Sequence, residues 1–137
     1  MPIQTETLKK LLLHLEEKIK ALQDKSITEE GLKKENSDIR AATERRLQVA
    51  IECCIDIARH IIAGENLGVV EHNKDAVLLL GEKGIIPRKL ASLVAEATDM
   101  RNVLVHGYQK ITYEEISSAI KENLQDLKDF AKHIDLF

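Results

Sequence analysis

The amino-acid sequence predicts an all-α protein, an up-and-down bundle of four to five helices. Three observations carry that expectation. Apolar residues recur at helical spacing through most of the chain. Aromatic residues make up only 3%, with no Trp, so Leu, Ile, Val and Ala must fill the core. Turn formers are scarce: 2 Pro and 6 Gly are too few for a protein of many short strands. With 44% hydrophobic residues over 137 positions, one core is within reach, and a single domain covering residues 1–137 is expected.

The first helix is expected over residues 5–24, where Leu8, Leu11, Leu12, Leu15, Ile19 and Leu22 form one stripe and Lys9, Lys10, Glu16, Glu17 and Lys20 the polar side. Thr28 then suits the cap of a short turn holding Glu29 and Glu30. The second helix begins at Ser37 or Asp38 and runs to Gly64, which is read as its C′ residue. Leu47, Ile51, Cys54, Ile55, Ala58, Ile61 and Ile62 make its main stripe, and Val49, Cys53 and Ile57 a second line. So wide an apolar surface marks a central helix covered on more than one side. A third, shorter helix is expected over residues 74–83, closed by Gly84. Pro87 suits the first turn of the fourth, which carries Leu90, Leu93, Val94, Ala97 and Leu104 and stops at Gly107. The fifth starts at Thr112, since Thr112-Tyr113-Glu114-Glu115 has the capping-box pattern, and its stripe is Ile116, Ile120, Leu124, Leu127, Ala131 and Ile134. No internal repeat or low-complexity linker divides the chain.

Charge narrows the function classes. A net charge of −3, from 20 basic and 23 acidic residues, argues against a protein that coats nucleic acid non-specifically, while leaving room for a local basic cleft. No apolar run reaches the length of a membrane span and the N-terminus has no signal-peptide pattern, so the expectation is a cytoplasmic protein. The two cysteines, Cys53 and Cys54, are adjacent, so a disulfide between them would be strained; they read as small apolar core residues.

One residue does not fit its helix. With Leu90 at zero on a wheel of about 100° per residue, Val94 falls near 40°, Ala97 near 340°, Leu104 near 320°, and Arg101 at roughly 20°, inside the apolar stripe. A guanidinium keeps its proton at any useful pH and is costly to bury unpaired. It must pair with a carboxylate such as Glu52 or Glu96, point into a cleft, or receive an anion. His106 lies five residues on and about 140° round a regular helix, so the two converge only if the helix unwinds near Gly107 or if two copies of the segment meet across a two-fold axis. Arg holds a phosphodiester with its planar fork, and His moves protons near neutral pH. Together they suffice for metal-free cleavage of RNA, in which a ribose 2′-OH attacks the adjacent phosphate. The competing reading is a structural Arg and an ordinary C-terminal helix His favoured by the dipole.

Other candidates are weaker. Glu52, Asp56 and His60 recur every four residues and could line a metal, but a single helix rarely supplies every ligand, so no metal or cofactor is expected. Arg40, Arg45 and Arg46, with Arg88 and Lys89, form either a rim that attracts RNA or a solvated surface. His14, His72 and His133 fall on polar faces or loops and are assigned no role.

The run Arg-Asn-Val-Leu-Val-His-Gly-Tyr at residues 101–108 resembles the motif of HepT toxins, HEPN-superfamily ribonucleases paired with MntA-type minimal nucleotidyltransferase antitoxins. That motif is an Arg, four to six residues, a His, any residue and a Tyr; Arg101, His106 and Tyr108 fill it without a gap. The second helix, through Leu47-Gln48-Val49-Ala50-Ile51-Glu52 and residues 54–61, is similar to the family's central helix, and the order of helices matches over nearly the whole chain. The resemblance implies a HEPN bundle, a homodimer with the fourth helices lining a shared cleft, and RNase activity carried by Arg101 and His106 with Asn102 assisting. It further implies that Tyr108 receives AMP from ATP through the cognate antitoxin. A non-catalytic HEPN module that only binds a nucleotidyltransferase or a nucleotide is the alternative; such modules tend to lose the Arg and His that this chain keeps.

Overall fold

The helices end where local chemistry ends them, and a computed structural model that describes residues 5–106 and 111–137 gives their limits. α1 (Thr5–Leu22) buries Leu12, Leu15, Ile19 and Leu22, with Leu8 and Leu11 half-buried where the stripe begins. The expected turn after it is a five-residue helix, α2 (Glu29–Lys33), whose cap is Thr28: its hydroxyl accepts from the Gly31 N–H at 3.0 Å. α3 (Asp38–Gly64) is capped by Ser37, which accepts from the Arg40 N–H at 3.0 Å. It packs against α1, α4, α5 and α7, the central position its width of apolar surface predicts.

Its C-terminus corrects one expectation. Gly64 is the last helical residue, and Asn66 takes the left-handed conformation at φ 52°. The Leu67 N–H donates to the Ile62 carbonyl at 2.9 Å, closing a Schellman turn one residue beyond Glu65. Asn tolerates positive φ, so the chain did not need glycine there. α4 (Asn73–Glu82) ends in the same motif with Gly84 at φ 74°, as expected. Gly81 has a separate reason: a Cβ there would lie 2.6 Å from the Ala91 Cβ, so glycine is what lets α4 approach α5.

α5 (Arg88–His106) begins one residue after Pro87, whose carbonyl accepts from the Ala91 N–H at 2.9 Å. Its buried arc is wider than the predicted stripe and turned to one side, because Ala91, Ala95 and Thr98 are buried along with Leu90, Val94 and Ala97. The small residues face neighbouring helices at close range, which leaves Leu93 at the edge of the arc and exposed. Arg101 still falls inside the arc. The expected stop at Gly107 lies outside the described residues.

The fifth predicted helix is continuous but not regular. α6 (Tyr113–Ser118) opens with the capping box: the Glu115 N–H donates to Thr112 Oγ1, and the Thr112 N–H donates to Glu115 Oε1, both at 3.1 Å. A π-helical turn, Ala119–Asn123, then joins it to α7 (Leu124–Leu136). Phe130, three residues after Leu127 and four before Ile134, is fully buried on the stripe of α7, while Ile120 within the wide turn is only half-buried.

Among the described residues two apolar clusters result. The larger joins α1, α3, α4, α5 and α7; the smaller gathers Leu32, Ile111 and Ile116 with Ile27, Ile39, Met100, Leu104 and Tyr113 around them. Arg40 sits against the smaller one, which overturns both readings of it, the RNA-attracting rim and the solvated surface. It is buried, donating through Nη1 to the Leu32 carbonyl at 2.7 Å and through Nη2 to the Ile111 carbonyl, with Nε 3.2 Å from Glu44 Oε2. It ties α2 and the start of α6 to α3. Cys53 and Cys54 are buried free thiols; burial, helped by the charges of Asp56 and Glu52, pushes Cys53 up to about 11, where it is inert as a nucleophile. No described helix is long and apolar enough to cross a membrane.

Candidate active site

The anomalous Arg101 neither sits in a closed interior nor reaches freely into solvent. It is half-buried, and its Nη2 and Nε donate to Glu52 Oε2 on α3 at 2.9 and 3.3 Å. Nη1 donates to Asn102 Oδ1 at 3.4 Å. Two of the readings open in the sequence are therefore true together: the guanidinium pairs with a carboxylate, and it also lines a cleft. That cleft has a volume of about 500 Å³ and is walled by Leu11 and His14 of α1, by Arg45, Val49, Glu52, Cys53, Ile55, Asp56 and Arg59 of α3, and by Asn73. Three guanidinium groups and two carboxylates thus line it, all on α3 except Arg101.

Asp56 feels both signs. Burial and the charge of Glu52 raise its pKa, and Arg101 and Arg59 pull it back without cancelling the rise. A carboxylate whose folded-state pKa is raised stabilises the fold relatively more when protonated, and this contribution is lost as pH rises through the folded-state value. Asp56→Asn is therefore expected to stabilise the protein at pH 7, by less than about 1 kcal/mol because the group is largely solvent-facing. The gain should vanish below its ordinary value of 3.8, where folded and unfolded chains are both protonated. Urea midpoints of wild type and variant at pH 7 and at about pH 2.5 check it.

His106 is exposed on the last turn of α5, which stays α-helical through that residue. Arg101 and His106 thus project from different sides of one regular helix, about 140° apart. Asn102 faces a second, smaller cleft of about 400 Å³, which it shares with Glu71, His72, Asn73, Lys74, Thr98 and Asp99. Asn73 borders both clefts. Tyr108 lies outside the described residues. Ile111, three positions after it, is the residue whose carbonyl Arg40 holds.

Of the basic clusters Arg40, Arg45 and Arg46 and Arg88 and Lys89, Arg45 alone lines the main cleft. Arg46 instead donates to the Ala21 carbonyl at 3.1 Å, and Arg88 and Lys89 lie exposed at the far end of α5, about 20 Å along the axis from Arg101. Among the described residues no group of three or more His, Cys, Asp or Glu side chains is placed to hold a metal ion, so Glu52, Asp56 and His60 form no ligand set. Sequence reasoning passed over Arg59. It stands three positions after Asp56 and seven after Glu52, hence on the same helix face, and that spacing was the available signal. Its Nε donates to Asn73 Oδ1 at 3.1 Å, which ties the start of α4 to the wall of the cleft.

The described helices follow a known plan. They superpose on the tri-AMPylated HEPN toxin of Shewanella oneidensis solved in complex with its MNT antitoxin, with a TM-score of 0.84 over 95% of this chain and 97% of that one, at 24% identity. The fold is accordingly that of HEPN toxins. The sequence matches the family described as Ribonuclease HepT-like over residues 12–134, and the chain belongs to that family. Among curated relatives, it is 31% identical over 84 residues to the mRNA nuclease HepT of Shewanella oneidensis, covering 61% of this chain and 63% of the relative. It is 33% identical over 95 residues to the tRNA nuclease HepT of Aphanizomenon flos-aquae, covering 69% and 65% respectively. These matches span somewhat less than two thirds of each relative's length.

Proposed function

We propose that this protein is a metal-independent endoribonuclease toxin that acts as a homodimer and is neutralised by AMPylation from a minimal nucleotidyltransferase antitoxin. The observation that carries the reading is Arg101: a permanent cation held at the wall of an open cleft, five residues before an exposed His106 on the same helix. The names of the relatives, which are nucleases of mRNA and of tRNA, support RNA as the substrate class.

In this mechanism Arg101 binds the scissile phosphodiester and stabilises the charge that grows on its oxygens. His106 takes the proton from the ribose 2′-OH, whose oxygen attacks phosphorus. The bond to the 5′ oxygen breaks, and a second imidazole, His106 of the other protomer, supplies the proton that oxygen needs. The dimer answers a geometric problem, because two side chains about 140° apart on one helix converge poorly within one subunit. Asn102 assists by holding Nη1 of Arg101. Incubation of the purified protein with total RNA tests the reading: cleavage should persist in EDTA and disappear in Arg101→Ala and His106→Ala.

The ion pair of Arg101 with Glu52 favours a second reading, in which the Arg is structural and the protein is a non-catalytic HEPN module that binds a nucleotidyltransferase or nucleotide. An unmodified, folded wild type that leaves RNA intact would support it.

Tyr108 is the proposed acceptor of AMP. The adduct would place a phosphate two residues from His106 and exclude RNA by charge and bulk. Mass spectrometry after incubation with ATP and the antitoxin should find one or more AMP additions on wild type and none on Tyr108→Phe, which should stay toxic when the antitoxin is co-expressed. An adduct mapped to Tyr113 would move the assignment.

A further inference from the structure

We infer that Glu52 is a positioning residue that decides which edge of the Arg101 fork meets the substrate. The inference rests on the phosphate-binding role proposed for Arg101 and goes beyond it to the group that aims it.

The argument is an inventory of donors. A guanidinium has five N–H bonds in one plane, arranged as a side edge (Nε with one terminal nitrogen) and an end edge (both terminal nitrogens). Glu52 Oε2 accepts from Nε at 3.3 Å and from Nη2 at 2.9 Å and so occupies the side edge. Asn102 Oδ1 accepts one bond from Nη1 at 3.4 Å. Three of the five donors are then used, and the two that remain sit one on each terminal nitrogen. With the Asn102 bond on the Nη1 hydrogen nearer Cδ, these two form the end edge that two oxygens of one phosphate can grip.

The pair is not a buried structural bridge. Arg101 and Glu52 side chains are 24% and 29% exposed, and both line the 500 Å³ cleft. An exposed long side chain would lose rotamer freedom on binding a phosphate. Here Glu52 has already removed much of it, so the fork meets the phosphate with less ordering left to do. The cost is charge: one carboxylate beside the cation weakens its pull on RNA. Arg45 and Arg59, on the same cleft, offset that loss at longer range. Glu52 itself is held by its place on α3, the central helix, between the buried Ile51 and Cys53.

This assigns Glu52 a signature that a plain structural role does not share. Glu52→Ala frees the fork and removes a negative charge, so kcat on RNA should fall roughly 10- to 100-fold while KM stays level or falls. Glu52→Gln keeps an acceptor on the side edge and should recover most of the lost kcat. Wild type and His106→Ala run in parallel: absent or His106-insensitive cleavage in wild type overturns the nuclease reading, whereas active wild type with unchanged or raised kcat in Glu52→Ala overturns the role of Glu52.

A second measurement does not need turnover. In ¹⁵N NMR spectra with and without inorganic phosphate, the terminal nitrogens of Arg101 should give separate signals in wild type and Glu52→Gln and averaged ones in Glu52→Ala. Phosphate should shift the terminal-nitrogen signals of wild type and leave the Nε signal in place. A phosphate-dependent shift of Nε equal to that of the terminal nitrogens would mean that the anion displaces Glu52, making it a competitor and not a guide.

Discussion

Arg101→Ala and His106→Ala should each lower the rate of RNA cleavage by about 10²–10⁴, the range spanned by loss of one acid–base group or one donor to developing phosphoryl charge. The two losses have different physical sources and should be separable. His106 is exposed on the last turn of α5, so its removal should change stability by about 1 kcal/mol or less and most of the effect should fall on the chemistry. Arg101 also carries a half-buried ion pair with Glu52, and its removal leaves that carboxylate with no described partner. A cost in stability of up to about 1 kcal/mol is expected there alongside the lost activity, since the pair is partly exposed. Arg101→Lys should recover the stability but little of the rate, because an ammonium is a point charge and cannot span two phosphate oxygens as a fork does. Steady-state cleavage of a defined RNA, with urea melts of each variant, measures both. Cleavage at the wild-type rate by folded His106→Ala would rule out the proposed acid–base role.

Arg40→Met should cause the largest loss of stability expected from one substitution outside the apolar core, about 3–5 kcal/mol. The guanidinium is 4% exposed and serves the carbonyls of Leu32 and Ile111 while lying beside Glu44. Methionine fills much of the space but donates nothing. Two buried carbonyls then lose their described donor and Glu44 its described cation, and each such loss costs more than the original contact contributed. For a chain of this length the melting temperature should fall by about 10–20 °C. The damage should be felt first in the small cluster around Leu32, Ile111 and Ile116, where Arg40 is the polar link between α2, α3 and the start of α6. Hydrogen exchange that accelerates in residues 29–33 and 113–118 before the rest of the chain would show this. A loss below about 1 kcal/mol would mean that water replaces the guanidinium at both carbonyls.

The parts of the molecule that were legible beforehand share a property: the residues that determine them lie within a few positions of one another. Ser37 and Thr112 cap helices because a hydroxyl reaches an N–H three residues on, and Glu115 returns the bond. The stripes of α1 and α3 follow from the helical period alone. Arg101 stood out for the same reason, as a cation on an apolar face of its own helix. The misread features depended on distant partners. Leu93 was assigned to the core because it shares a stripe with Leu90, but the direction in which α5 leans was set by how closely Gly81 allows α4 to approach Ala91. The π turn at Ala119–Asn123 reconciles two stretches of stripe that must face different neighbours, and no local residue announces it. Arg40 looked like one more basic residue near Arg45 and Arg46.

By itself the sequence determined that this protein is helical, where most of its helices start, and that position 101 places a cation where an aliphatic side chain was due. Each of these is a short-range consequence of backbone hydrogen bonding and the 3.6-residue turn. Only the tertiary structure decided that Glu52, 49 residues away, takes the side edge of that cation, that Arg59 and Arg45 share its cleft, and that Arg40 is spent inside the fold. Which charges meet depends on how helices lean and how deeply they pack, and packing is a property of the whole core that no window of sequence contains.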